Sequence, residues 1–202
     1  LFSQVIQYFQ SNSGQYWQYV GQHLFLTLVT LVISMVIALP LGYLGSRVKP
    51  VASFCVAFAQ VLRIIPSLAL LFLLIPVIGT GMVPALISLV VLALPPLLIN
   101  TILGFNEVSP LYKEVGTALG MTSRQLRRQI EIPLALPYVL NGIKLAIVEI
   151  IASATLATYI GAGGLGTLIC AVSVATLSLG AMLGFDFLIR KVQKHDKSSY
   201  SI

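Results

Sequence analysis

Long apolar stretches alternate with short polar breaks along this chain, and one polar interval is much longer than the rest. The apolar runs cover residues 23–45, 51–78, 82–105, 138–160 and 171–189. Each is close to the roughly twenty residues that carry a helix across a bilayer. The runs are continuous rather than alternating, which argues against a barrel. The pattern predicts an all-α, polytopic membrane protein with five crossings. The second run contains Pro66; cutting there would give six crossings, but the two pieces are short. A single proline-kinked helix is the expectation, with neighbouring helices satisfying the freed backbone groups.

The breaks are of different kinds. Residues 47–50 (RVKP) read as a short inner turn, 79–81 (GTG) as a short outer turn and 161–167 (GAGGLGT) as a glycine-rich outer turn. Residues 1–22 form an interfacial or extracellular segment: Phe2, Val5, Ile6 and Phe9 fall at helical spacing, and Tyr16, Trp17 and Tyr19 suit the headgroup level. Residues 23–190 make one membrane domain, and 191–202 a charged tail. No internal repeat is evident, unlike carriers built from inverted halves.

Composition supports this reading: 57% of the 202 residues are hydrophobic, 9% are charged and the mean hydropathy is +0.97. Soluble domains carry about 25% charged residues. The net charge of +6 reports topology rather than a nucleic-acid partner, because the basic residues are scattered beside span ends. Residues 1–46 carry no Lys, Arg, Asp or Glu. With the N-terminus outside and the C-terminus inside, Arg47, Lys49, Lys113, Arg124, Arg127, Arg128, Arg190, Lys191, Lys194 and Lys197 all face the cytoplasm, as the positive-inside rule requires. The start lacks the basic region of a signal peptide.

Little points to catalysis. Cys55 and Cys170 lie in separate apolar runs and read as inert buried thiols. His23 and His195 stand alone, so no metal spacing or catalytic triad can be drawn. The glycines after residue 160 are not a phosphate loop, since no strand precedes them and no Lys–Ser/Thr follows.

The long polar interval, 106–137, carries the informative residues. Ser109 and Pro110 suit the cap and first turn of a helix. Leu111, Val115, Ala118 and Leu119 fall on one face of it. Gly120 interrupts, Thr122 or Ser123 can cap a second helix, and Pro133 is expected to end that one. Two short helices about a glycine joint make a projecting knob, with small residues at Gly116 and Ala118 suited to close approach by a partner.

The spacing of Glu114, Gly120, Ile130, Ile132 and Pro133 resembles the EAA loop of permease subunits in bacterial ABC importers, with Val115 and Gly116 in place of the two alanines. The segments IIPSLAL (64–70), IPVIGTG (75–81), VPAL (83–86), GMT (120–122), EIPLALP (131–137) and IGAGGLG (160–166) are similar to permeases for glycine betaine, carnitine, choline and related quaternary amines. The resemblance spans roughly residues 20–190. One departure is that Gly166 reaches the last apolar run almost at once, where that group has a longer stretch.

The resemblance implies the MetI-like fold of a type I importer permease in a bacterial plasma membrane. It further implies two ATPase subunits that bind Mg-ATP, a second permease chain (identical or homologous) and an extracellular solute-binding protein. The chain has no Walker A sequence and no cofactor or metal of its own is expected. Glu114, Ala118, Gly120, Met121, Ile130 and Pro133 would contact the ATPase. Arg63, Pro66 and Glu149, with Gly161, Gly163, Gly164 and Gly166, would line or gate the pathway. Arg63 stands deep in a span, where a charge costs about 2.5–3.5 kcal/mol and marks function by default; Glu149 is its obvious partner, and Lys144 can snorkel. The phenylalanines form no visible cage for a quaternary ammonium. A methionine-type permease and a passive channel or secondary carrier are the competing readings.

Overall fold

A computed structural model describes residues 13–169, which are helical with no strand among them. Helix α1 (Ser13–Arg47) passes residue 22 without a break and carries Pro40 inside it. The expected anchors Tyr16 and Trp17 sit on its first turns with their rings edge-on at 5.5 Å. Helix α2 (Lys49–Ile64) opens with Pro50 in its first turn, where the missing N–H has no partner to lose.

The single kinked helix expected over 51–78 is not what forms. After α2 the chain runs extended through Ile65 (ψ 119°) and Pro66 (ψ 137°), then re-enters helix as α3 (Ser67–Leu73) and α4 (Ile75–Ile78). The two arms meet at 92°. Proline removes a helix hydrogen bond and disfavours the helical conformation of the residue before it, so two successive extended residues turn the chain.

Helix α5 (Met82–Asn106) is followed by α6 (Pro110–Ala118) and α7 (Ser123–Leu126). A π-turn (Arg127–Glu131), α8 (Ile132–Leu156) and a 3-10 turn (Ala157–Ile160) come next. Pro133 does not end the second knob helix as expected. Ile132 N–H donates to the Arg127 carbonyl five residues back, widening the turn just before the proline. Ser123–Ile160 is thus a single run of 38 residues.

Ser13–Arg47, Met82–Asn106 and Ser123–Ile160 are long and apolar enough to cross a membrane, and the bent pair adds a fourth if its arms form one crossing. The expected fifth crossing at 171–189, Cys170, the tail and residues 1–12 lie outside the described residues.

Helix α5 lies at the centre, packed against α1, α2 and α8. Toward its start, Leu71, Ala85, Leu89, Leu92, Ala154 and Ile160 form one buried cluster; toward its end, Ala38, Cys55, Ala93, Leu97, Leu98 and Ile150 form another. Between helices in lipid the drive comes from close packing, which small residues permit. At Gly142 a Cβ would lie 2.8 Å from the Asn100 Cβ and 3.0 Å from the Pro96 carbonyl oxygen. Asn100 in turn donates to the Pro96 carbonyl at 2.8 Å and accepts from the Asn141 amide at 3.2 Å, a polar seam along the α5–α8 crossing.

Gly142→Leu should therefore force α8 off α5 and cost about 1–3 kcal/mol, read as a lower melting midpoint of the detergent-solubilised protein. Gly21→Ala, at a helical glycine with no neighbour within 4 Å, should leave that midpoint unchanged or raise it.

Candidate functional site

The knob is built from local signals. Ser109 Oγ accepts from Leu111 N–H at 3.3 Å to start α6, and Pro110 follows at its first position. Gly120, with φ +77°, takes the left-handed conformation that ends α6, and Met121 N–H reaches back to the Gly116 carbonyl at 3.1 Å. Thr122 and Gln125 close a reciprocal capping box on α7, so Thr122 rather than Ser123 is the cap.

Gly116 faces inward, a correction to its expected role beneath a partner. A Cβ there would lie 2.5 Å from Leu126 Cδ1, 3.1 Å from Ile130 Cδ1 and 3.2 Å from Met121 Sδ. Gly116, Met121 and Ile130 thus hold the two short helices together. Glu114, Ala118 and Gly120 remain exposed, and so do Leu111 (62%), Val115 (49%) and Leu119 (77%). These three make an apolar stripe on the exposed face of the knob. Pro133 lies behind it, at the first turn of α8.

Behind the knob sits a residue that sequence reasoning passed over. Glu131 is 3% exposed and pairs with Arg47 at the end of α1 and with Lys113 of α6 at 3.6 Å. The guanidinium groups of Arg47 and Arg127 both lie over the Tyr43 ring, at 5.2 and 5.5 Å, and Phe105 meets that ring edge-on at 5.0 Å. One carboxylate therefore ties the knob to two long helices. The available signal was an acidic residue at the edge of one span, with Arg47 at the end of another.

Arg63 and Glu149 come together as expected. They line two adjoining cavities of about 350 and 370 Å³. Pro66, Ser67 and Ser153 share the first, Asn100 and Leu145 the second. The pairing is looser than expected: among the described residues the ion pairs are those of Glu131, and none joins Arg63 to Glu149. The cavity lies at the break in the second crossing, where a non-helical backbone is tolerated because it lines a space.

The glycine-rich turn is elsewhere, at the far end of α8. Gly161, Gly163 and Gly164 all have positive φ. The turn is held by Gly164 N–H to Gln22 Oε1 at 3.2 Å and Thr158 Oγ to the Gly163 carbonyl at 2.9 Å. Gly81 N–H donates to the Ile160 carbonyl at 2.6 Å, joining this turn to the one at 79–81. Gly166 backs onto the Thr155 carbonyl and Thr158, and His23 is buried beneath Gly164.

A helical membrane domain with a two-helix knob on one side and a polar cavity at a broken helix is the permease part of an ABC importer. Residues 35–175 match the family described as binding-protein-dependent transport system inner membrane component, and the chain belongs to it. It is 41% identical over 165 residues to the carnitine transport permease protein OpuCB of Listeria monocytogenes, covering 82% of this chain and 76% of that one. To the glycine betaine/carnitine/choline permease OpuCB of Bacillus subtilis it is 37% identical, covering 81% and 76%. Among solved structures, an inward-facing form of the MetNI methionine ABC transporter superposes with a TM-score of 0.61 at 25% identity, covering 87% of this chain and 94% of that one. An amino acid ABC transporter solved with histidines gives a TM-score of 0.67 at 19% identity, covering 96% and 98%, a likeness of fold. Membership implies a membrane setting, with an ATPase and a solute-binding protein as partners.

Burial makes the clasp asymmetric. Arg47→Met leaves a buried carboxylate with only Lys113, whereas Glu131→Gln frees two part-exposed cations to hydrate. Arg47→Met should be the more destabilising, by about 1–3 kcal/mol, and the double variant should match Glu131→Gln. Thermal melts of the three proteins check this ordering.

Proposed function

We propose that the chain is the permease subunit of an ATP-driven importer for quaternary-ammonium osmoprotectants. Two permease chains, identical or homologous, enclose the pathway; two ATPase subunits binding Mg-ATP dock below, each against the knob of 106–137. An extracellular binding protein delivers the solute. The N-terminus lies outside and, with the fifth crossing read from sequence, the C-terminus inside, an orientation supported by the basic residues around the knob. The relatives at 37–41% identity, named for carnitine, glycine betaine and choline, support this solute class over methionine.

The observation that carries the reading is the knob itself. Its exposed Leu111, Val115 and Leu119 stripe suits a groove on the ATPase, with Glu114, Ala118 and Gly120 at its edge. The 38-residue run from Ser123 to Ile160 then links it to the outer turn. Closure of the ATPase pair would tilt the knob, and α8 would pass the tilt to the Arg63–Glu149 cavity and the glycine turn at 161–166. A passive channel or secondary carrier needs no such knob.

Glu114→Arg, or Gly120→Val at its positive φ, should leave membrane insertion intact. Either should cut ATP-driven uptake at least tenfold, the glycine change straining the backbone by about 1–2 kcal/mol. Co-purification of an ATPase with the wild-type chain, lost in these variants, checks the docking. Full uptake by both variants, or uptake without nucleotide, would refute it.

A further inference from the structure

We propose that the cavity between Arg63 and Glu149 holds a zwitterionic solute in one orientation, its carboxylate toward Arg63 and its quaternary ammonium toward Glu149. The proposal rests on the osmoprotectant reading above and makes it more specific. It names the charge class of solute that the permease itself prefers, apart from any choice made by a binding protein.

Intramembrane charges are costly and usually pair with one another. Here a cation on α2 and an anion on α8 line the same two cavities, yet no ion pair closes between them. Two opposite charges that line one space of about 350 Å³ without closing an ion pair are an electrostatic mould for a molecule with the reverse dipole. That volume lies within the roughly 300–1,000 Å³ of small-ligand pockets. Arg63 is exposed on the isolated chain, so its guanidinium is within reach of a solute. Guanidinium also recognises carboxylate through two parallel hydrogen bonds.

The ammonium end has only one source of attraction. Leu62, Ile65, Pro66, Leu92 and Pro95 complete the first cavity's wall, and Pro96, Ile99, Val148 and Ala152 that of the second. None is aromatic, so cation–π contact contributes nothing and the Glu149 carboxylate must balance the charge. Ser67 and Ser153 add hydroxyls beside the break. A solute with the ammonium but no carboxylate leaves Arg63 without a partner and binds more weakly. Broken helices lining a solute cavity near the middle of a membrane are a recurrent transporter device. A cavity that binds through two charges and little shape holds its solute weakly enough to release it.

The test uses the permease–ATPase complex in nanodiscs without binding protein. Equilibrium dialysis measures the binding of radiolabelled glycine betaine and choline, which share the trimethylammonium group and differ in the carboxylate. The intact complex should bind glycine betaine about tenfold or more tightly, as expected for one charge-assisted contact. Arg63→Gln should erase that difference, Arg63→Lys should restore part of it, and Glu149→Gln should weaken both solutes. Equal binding by the intact complex, a preference that survives Arg63→Gln, or no binding of either solute overturns the proposal. A separate assay, ATP-driven uptake with the binding protein present, keeps the two readings distinct. If it shows no uptake of any trimethylammonium solute while the binding preference persists, the transport reading falls and the cavity assignment stands.

Discussion

A single buried carboxylate holds the knob end of the molecule together. Glu131 sits where the membrane domain meets the knob, and burying its charge is tolerable only because Arg47 and Lys113 converge on it from two other helices. The ion pair therefore does more than add stability. It requires the end of α1, the start of α8 and the knob helix α6 to keep one mutual arrangement. The Tyr43 ring, with two guanidinium groups on it and Phe105 at its edge, extends that arrangement to α5.

The opposite end is made from other materials. Its turns are glycines in left-handed conformations, held by a backbone N–H to the Gln22 side-chain oxygen, a backbone hydrogen bond to Ile160 and a threonine hydroxyl. No ion pair is found there among the described residues. The knob end is thus held by charge and the glycine end by hydrogen bonds, with the Arg63–Glu149 cavity between them along the same helices.

Much of this was legible in the sequence. The third apolar run matched α5 to within one residue, because a long membrane-spanning helix advertises itself by hydropathy alone. The prolines were harder. Pro66 breaks its helix and Pro133 does not, although both follow an isoleucine. Ile65 is extended, while Ile132 stays helical behind a π-turn that supplies the room a proline ring needs. Hydropathy cannot register that difference, since both outcomes leave the apolar run intact. Gly116 was misread because its neighbours Leu126 and Ile130 approach only once the knob has folded back on itself. Glu131 went unnoticed as a hub because Arg47 is 84 residues away along the chain. That Arg63 and Glu149 share a cavity was visible, since two charges in otherwise apolar runs have few alternatives, but not that they stop short of an ion pair.

The unbroken run from Ser123 to Ile160 carries a consequence for how such a chain can diverge. Over 38 residues, about 57 Å, there is no loop in which a length change could be absorbed. One residue gained or lost between the two ends would rotate everything beyond it by about 100°. The exposed face of the knob and the glycine-rich turn would then point in unrelated directions. Insertions and deletions should therefore gather at the bend near residues 106–109 and at the termini. The long helix itself should vary in side chains while its residue count stays frozen.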